Sequence, residues 1–175
     1  MNPATLHERL GRFVLTFQAV ESAMAKLIVQ LTHADPEYVA TLIAEIEFTA
    51  KARALDVIYT RFAQIHGLST QVPDPSFHDL AIRIQKLATR RNEIVHSFYS
   101  LLITVDGELA LERQPTRLKP SAGLRRQDAE DILPNQLDTD IFEIKNILVE
   151  LEKYRLSAIN SLYPIESPQK PLTSD

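Results

Sequence analysis

The chain has no cysteine among its 175 residues, which removes disulfide frameworks, thiolate metal sites and cysteine nucleophiles. Glycine is scarce, at four residues, and long stretches follow a 3.6-residue apolar period, so helices are the expected architecture. Positive charge is not in excess. With a formal net charge of −4, no global field holds a long nucleic acid by counterion release, and any such contact has to be local. No run reaches the roughly 20 apolar residues of a bilayer span, and the start lacks the basic and apolar segments of a leader. A cytoplasmic protein that does not enter a membrane is therefore expected.

Against these absences, 45% hydrophobic and 24% charged residues are ordinary values for a globular protein, and the length suits one domain. The domain is expected over residues 1–163, with a disordered, proline-containing tail over 164–175. Thr5-Leu6-His7-Glu8 reads as a capping box opening a helix to about Leu31, with Leu10, Phe13, Phe17, Val20, Met24, Leu27 and Leu31 as its apolar stripe. Asp35-Pro36 caps a second helical stretch that stops at Gly67, with a break around Glu45 to Thr49.

Ser76 caps a helix expected to reach Tyr99, and the last helix is expected to begin at Asp138 and end before Pro164. The last helix's stripe is Ile141, Ile144, Leu148, Leu151 and Leu156. Between these two helices, Leu101–Val105, Asp106-Gly107 and Glu108–Glu112 read as a hairpin with a two-residue turn, placing Leu102, Leu109 and Leu111 on one face. A short helical piece is expected around Gln127 to Leu133. The fold class is thus all-α, a bundle of about four to five helices with a small β-hairpin inserted before the last.

Two charges stand where the pattern calls for apolar side chains. On the Ser76 helix the stripe runs Leu80, Ile84, Leu87, Arg91, Ile94, Phe98 and Leu101, so Arg91 interrupts a core row. Glu21 stands among Phe17, Met24 and Ile28 on the first helix. An arginine cannot shed its proton, so a buried one needs an anionic partner, and Glu21 is the candidate to orient the Arg91 guanidinium. Snorkelling of each charge to water is the alternative.

Beside this row, Gln85, Thr89, Asn92, His96 and Tyr99 fall within about 80° of one another at 3.6 residues per turn, forming a polar stripe without formal charge. Arg83, Lys86, Arg90 and Glu93 form a charged flank read as solvated. His96 carries an imidazole, the side chain suited to both giving and taking a proton near neutrality. It lies about 140° around the helix from Arg91, too far for a one-sided dyad, but two copies of the helix facing each other across a twofold axis combine the two groups.

Arg91-Asn92-Glu93-Ile94-Val95-His96 resembles the R-x4-6-H motif of HEPN domains, in which a polar residue often follows the arginine. The likeness extends to a helical bundle with the motif near the end of a long late helix and a further helix closing the chain, over Thr5 to Tyr163. The resemblance implies a homodimer with a composite site and metal-independent cleavage of single-stranded RNA, with no cofactor. It also implies roles as a toxin or defence protein, with an antitoxin as a possible partner. In that scheme the RNA 2′-hydroxyl attacks the adjacent phosphate, His96 moves protons and Arg91 steadies the phosphate. Asn92 orients His96 or contacts phosphate, and Tyr99 follows in the same stripe.

Arg113, Arg117, Lys119, Arg125 and Arg126 form a basic stretch without acids from Gln114 to Gln127, either an RNA contact or a solvated loop. The same spacing occurs earlier, at Arg61-Phe62-Ala63-Gln64-Ile65-His66. There Phe62 and Ile65 read as core and His66 as a helix-end residue beside Gly67.

No G-x-S-x-G, phosphate-binding glycine loop or H-E-x-x-H is present, and no histidine pair has metal-ligand spacing. The acid pairs Glu45/Glu47 and Asp138/Asp140 read as helix-end charges rather than a glycosidase dyad. The reading from a different functional class is a non-catalytic helical dimer serving as a scaffold or a partner- or nucleotide-binding module.

Overall fold

The computed structural model describes residues 3–68, 76–103, 105, 107, 109–115, 118–119, 124–125, 130–132 and 134–163. Among the described residues five helices carry the fold: α1 (Pro3–Thr32), α2 (Pro36–Ala44), α3 (Phe48–His66), α4 (Phe77–Val95) and α5 (Pro134–Leu162). Between α4 and α5 lie β1 (Ser97–Ile103), β2 (Leu109–Pro115), β3 (Leu118–Lys119), β4 (Leu124–Arg125) and β5 (Glu130–Ile132). The architecture is the helical bundle with an antiparallel hairpin before the last helix that the periodicity predicts.

The boundaries follow local chemistry. Asp35 caps α2, its carboxylate accepting from the backbone N–H groups of Glu37 and Tyr38, and Ser76 caps α4 by accepting from Asp79 N–H. Gly67 closes α3 at φ +65°, a conformation glycine adopts at little cost. The break expected between residues 45 and 49 separates α2 from α3. Thr5 lies inside α1, which begins at Pro3, and α5 begins at Pro134 rather than Asp138. In both cases a proline with preset φ opens the helix in place of the predicted polar start.

α1 packs along α5 and against α3, and α4 packs on α3 and α5. The buried face of α1 is the predicted one from Phe13 to Leu31. In α5 the stripe is Ile141, Ile144, Ile147, Leu151, Tyr154 and Ala158, while Leu156 is exposed. Leu156 stands five residues after Leu151 and is rotated about 140° off the core. Tyr59, Phe77 and Tyr154 join α3, α4 and α5 through one stacked and two edge-on ring contacts at 4.2–5.1 Å. By length and hydropathy α1 alone, from Thr5 to Thr32, passes as a membrane span among the described residues, yet its apolar face forms the core of the bundle.

On the flank of α4 expected to be solvated, Lys86 is exposed, whereas Arg83 and Arg90 form an ionic seam to α5. Arg83 donates to Glu143 at 2.9 Å and Glu150 at 2.7 Å, and Arg90 donates to Asp140 at 2.9 Å. Asp138 binds Arg9 of α1 at 3.1 Å. Asp138 and Asp140 are therefore interhelical partners inside α5 rather than helix-end charges.

β1 begins two residues after α4 and is strand from Ser97 on, so α4 does not reach Tyr99. The run Ser97-Phe-Tyr-Ser-Leu-Leu-Ile103 is rich in aromatic and apolar residues and favours a pleated chain. Its apolar side chains nonetheless mimic the continuing helical stripe. Phe98 and Leu101, placed in that stripe, are largely exposed.

β1 pairs with β2 from Ser97↔Pro115 to Ile103↔Leu109, leaving residues 104–108 as the connection. Strand pairing thus stops at Ile103 rather than at the expected Val105, and Gly107 has φ +76°, while Asp106 of the expected turn lies outside the described residues. Leu102 pairs with Ala110, one register step away from Leu109 and Leu111. β5 adds a third strand in the order β1-β2-β5. It occupies part of the segment expected to be helical, whose residues 127–129 and 133 lie outside the described residues, as does the tail 164–175.

Candidate functional site

The end of α4 is built by satisfying its last carbonyl groups, which have no partner within the helix. His96 is the C-terminal cap, with φ −102° and ψ 38°, and its backbone N–H donates to the Asn92 carbonyl at 3.1 Å. The Glu93 carbonyl accepts from the Ser97 hydroxyl at 2.6 Å and from Arg113 Nη1 at 3.3 Å. The Ile94 carbonyl accepts from the Tyr99 hydroxyl. Tyr99 and Arg113, read from the sequence as a catalytic-stripe residue and an RNA contact, are thus side chains of β1 and β2 that close the helix end. Arg113 is buried, at 8% exposure, and is not part of a solvated basic loop.

One turn back, Arg91 is half-buried and lies over the Phe17 ring of α1, 5.9 Å from its centroid. Its Nη1 donates to Asn92 Oδ1 at 3.1 Å. Phe17 in turn stacks on Phe48 at 4.3 Å. These residues border a cleft of about 490 Å³ whose other walls are Glu21 from α1 and the α2–α3 turn with Glu45 and Glu47. His96 lies at the same cleft and is exposed. Arg91, Asn92 and His96 therefore share one opening, whereas Tyr99 does not line it. The volume falls within the range of small-ligand sites.

Glu21 does not pair with Arg91 as expected. Its Oε1 accepts from Lys51 Nζ at 2.8 Å, and the Lys51 side chain is 5% exposed. The buried lysine has the stronger claim on the carboxylate, because an unpaired ammonium in the core costs several kcal/mol, on the order of 3–5. Arg91 meets its need differently, through the Phe17 ring and the Asn92 amide. Lys51 carries the same sequence signature as Arg91 and Glu21: it interrupts the apolar row Phe48, Ala52, Leu55.

Glu45 is the C-terminal cap residue of α2 and Glu47 the N-terminal cap position of α3, the helix-end placement their spacing suggests. What the sequence does not disclose is that this turn borders the same cleft as the last turn of α4. Lys119 and Arg125 lie on β3 and β4, and Arg117 and Arg126 lie outside the described residues.

No family model, curated protein or solved structure matches this chain. The likeness to HEPN domains rests on the residues alone. Within the site, α4 presents its carbonyl end, which repels anions, so anion affinity has to come from side chains. Arg91 supplies a guanidinium and His96 an accessible imidazole, against the charges of Glu45 and Glu47. Among the described residues no three histidine or acidic side chains converge as a metal site.

Proposed function

We propose that the protein is a homodimeric, metal-independent endoribonuclease of the HEPN type. The observation that carries this reading is the convergence of Arg91, Asn92 and His96 on one cleft at the end of α4. The cation–π contact of Arg91 with the Phe17 ring and its hydrogen bond to Asn92 favour one placement of the guanidinium before substrate arrives. In the reaction, the ribose 2′-oxygen forms a bond to phosphorus as the 5′-oxygen leaves. One histidine takes the 2′-hydroxyl proton and another delivers a proton to the 5′-oxygen, while arginine holds the phosphate. His96 from each protomer supplies the two imidazoles in a twofold arrangement.

The test is incubation of single-stranded RNA with the purified protein and excess chelator. Fragments ending in a 2′,3′-cyclic phosphate, with a dimer at working concentrations, are expected. A chain that leaves RNA intact, or cuts it only with added metal, overturns the reading.

The carboxylates of Glu21, Glu45 and Glu47 around the same cleft favour a second reading, a non-catalytic module that takes a cationic group of a partner. Under that reading Glu45→Gln/Glu47→Gln weakens partner binding and has no cleavage to alter. Localisation in the cytoplasm and any antitoxin partner belong with the ribonuclease proposal and stand or fall in the host cell.

A further inference from the structure

Of three charged side chains that break apolar rows, Glu21 and Arg91 border the cleft, and Lys51 binds Glu21 from the neighbouring groove. One turn of helix rises about 5.4 Å, and Glu21 stands one turn along α1 from Phe17, the ring that Arg91 covers. Glu21 and Arg91 line the same cleft, while Lys51 approaches Glu21 from the far side, where it lines the neighbouring groove between α1 and α2. One carboxylate thus has two cations to choose between. It is bound to Lys51 at 2.8 Å, and Arg91 donates to Asn92.

We propose that Lys51 is a positioning residue that keeps Glu21 away from Arg91 and so leaves the guanidinium able to receive an anion. The lysine side chain is almost wholly buried and needs its counter-ion, whereas Glu21 is 40% exposed and free to swing. Without the ammonium, Glu21 loses the one ion pair it makes among the described residues. Arg91 borders the same cleft as Glu21, and its fork has geometry suited to a carboxylate. Arg91 so occupied is closed to phosphate. This rests on the ribonuclease reading for its consequence in catalysis, but the side-chain choice itself is independent of any activity.

The experiment compares wild type, Lys51→Met, Glu21→Gln and the double variant. Its first readout is the ¹⁵N-resolved Arg91 Nε–H signal, assigned by its loss in Arg91→Lys. In Lys51→Met the signal is expected to shift downfield and exchange more slowly, as a carboxylate engages it. In Glu21→Gln and in the double variant it is expected at its wild-type position. The second readout is RNA cleavage, expected to fall on the order of tenfold in Lys51→Met, the weight of one charge-assisted hydrogen bond, and to recover in the double variant.

An unmoved Arg91 signal in Lys51→Met overturns the proposal, and so does a shift that persists in the double variant. If Lys51→Met does not fold, the other two variants decide, since a displaced signal in Glu21→Gln means that Glu21 already holds Arg91. Absence of cleavage in wild type sinks the ribonuclease reading alone, because the Arg91 signal still reports where Glu21 goes.

Discussion

Two segments of this chain have the same arginine-to-histidine spacing, and the structure puts them to different uses. Arg61–His66 ends α3 and Arg91–His96 ends α4. In the α3 copy the arginine is exposed, and the intervening Phe62 turns into the core and stacks on His66 at 4.2 Å. The imidazole there continues an aromatic packing surface beside Gly67. In the α4 copy the arginine itself faces the core row, so a ring from α1 and an amide from its neighbour have to accommodate it. The spacing carries no information by itself. What distinguishes the copies is whether the arginine stands on the apolar stripe, because only then does the fold have to build a wall around it.

The largest expected effect breaks the two copies apart. Arg91→Ala and His96→Ala are each expected to lower cleavage of single-stranded RNA by about 10²–10³, the usual weight of a group that stabilises transition-state charge. Arg61→Ala and His66→Ala are expected to leave it within a few-fold of wild type. A gel assay with chelator present reads both pairs, and equal losses in the two would erase the distinction.

Stability should divide them in the opposite sense. Phe62→Ala removes a ring that is 5% exposed and is expected to cost about 3–4 kcal/mol in urea denaturation. Asn92→Ala removes one half-buried hydrogen bond and is expected to cost about 1 kcal/mol. A smaller loss for Phe62→Ala than for Asn92→Ala would mean that the α3 copy is not built on packing. On the opposite flank of α4, Arg83→Met leaves Glu150 without its partner. It is expected to cost about 1 kcal/mol, discounted for the partial exposure of the pair.

The helical bundle was legible because its signals are local: capping residues, stop residues and a long apolar period on α1, α4 and α5. Arg91 and Glu21 were legible as anomalies, since a charge in an apolar row is visible without coordinates. Their partners were not. Glu21 pairs with Lys51 rather than Arg91, because Lys51 interrupts an apolar row in the same way and is the more deeply buried cation. The end of α4 at Val95 is hidden in the sequence because Phe98 and Leu101 extend a helical period that the backbone has already left. The roles of Tyr99 and Arg113 depend on that boundary, because only strands that double back on the helix end can reach its free carbonyls. The turn at Glu45 to Phe48 was found as a break, but its place at the same cleft as α4 is a tertiary fact without a local signature.

A third histidine sharpens the contrast and carries the smallest effect. His78 lies in the first turn of α4, at the opposite end from His96, and its Nδ1 is 2.7 Å from Asp56 Oδ2 of α3. The hydrogen bond to Asp56 and the charge of that carboxylate raise its pKa above the ordinary value near 6.5, and Asp79 adds to the shift. A raised pKa in the folded state means that the protonated ring favours folding. The contribution is complete below about pH 6.5, the unfolded value, and fades as pH climbs through the raised folded value. Because the ring is largely exposed, the change should be small and weakened by salt. Urea midpoints measured at pH 5.5 and pH 8.5 are expected to differ more in wild type than in His78→Gln. An identical difference in the two proteins would show that the Asp56–His78 contact does not tie the start of α4 to α3.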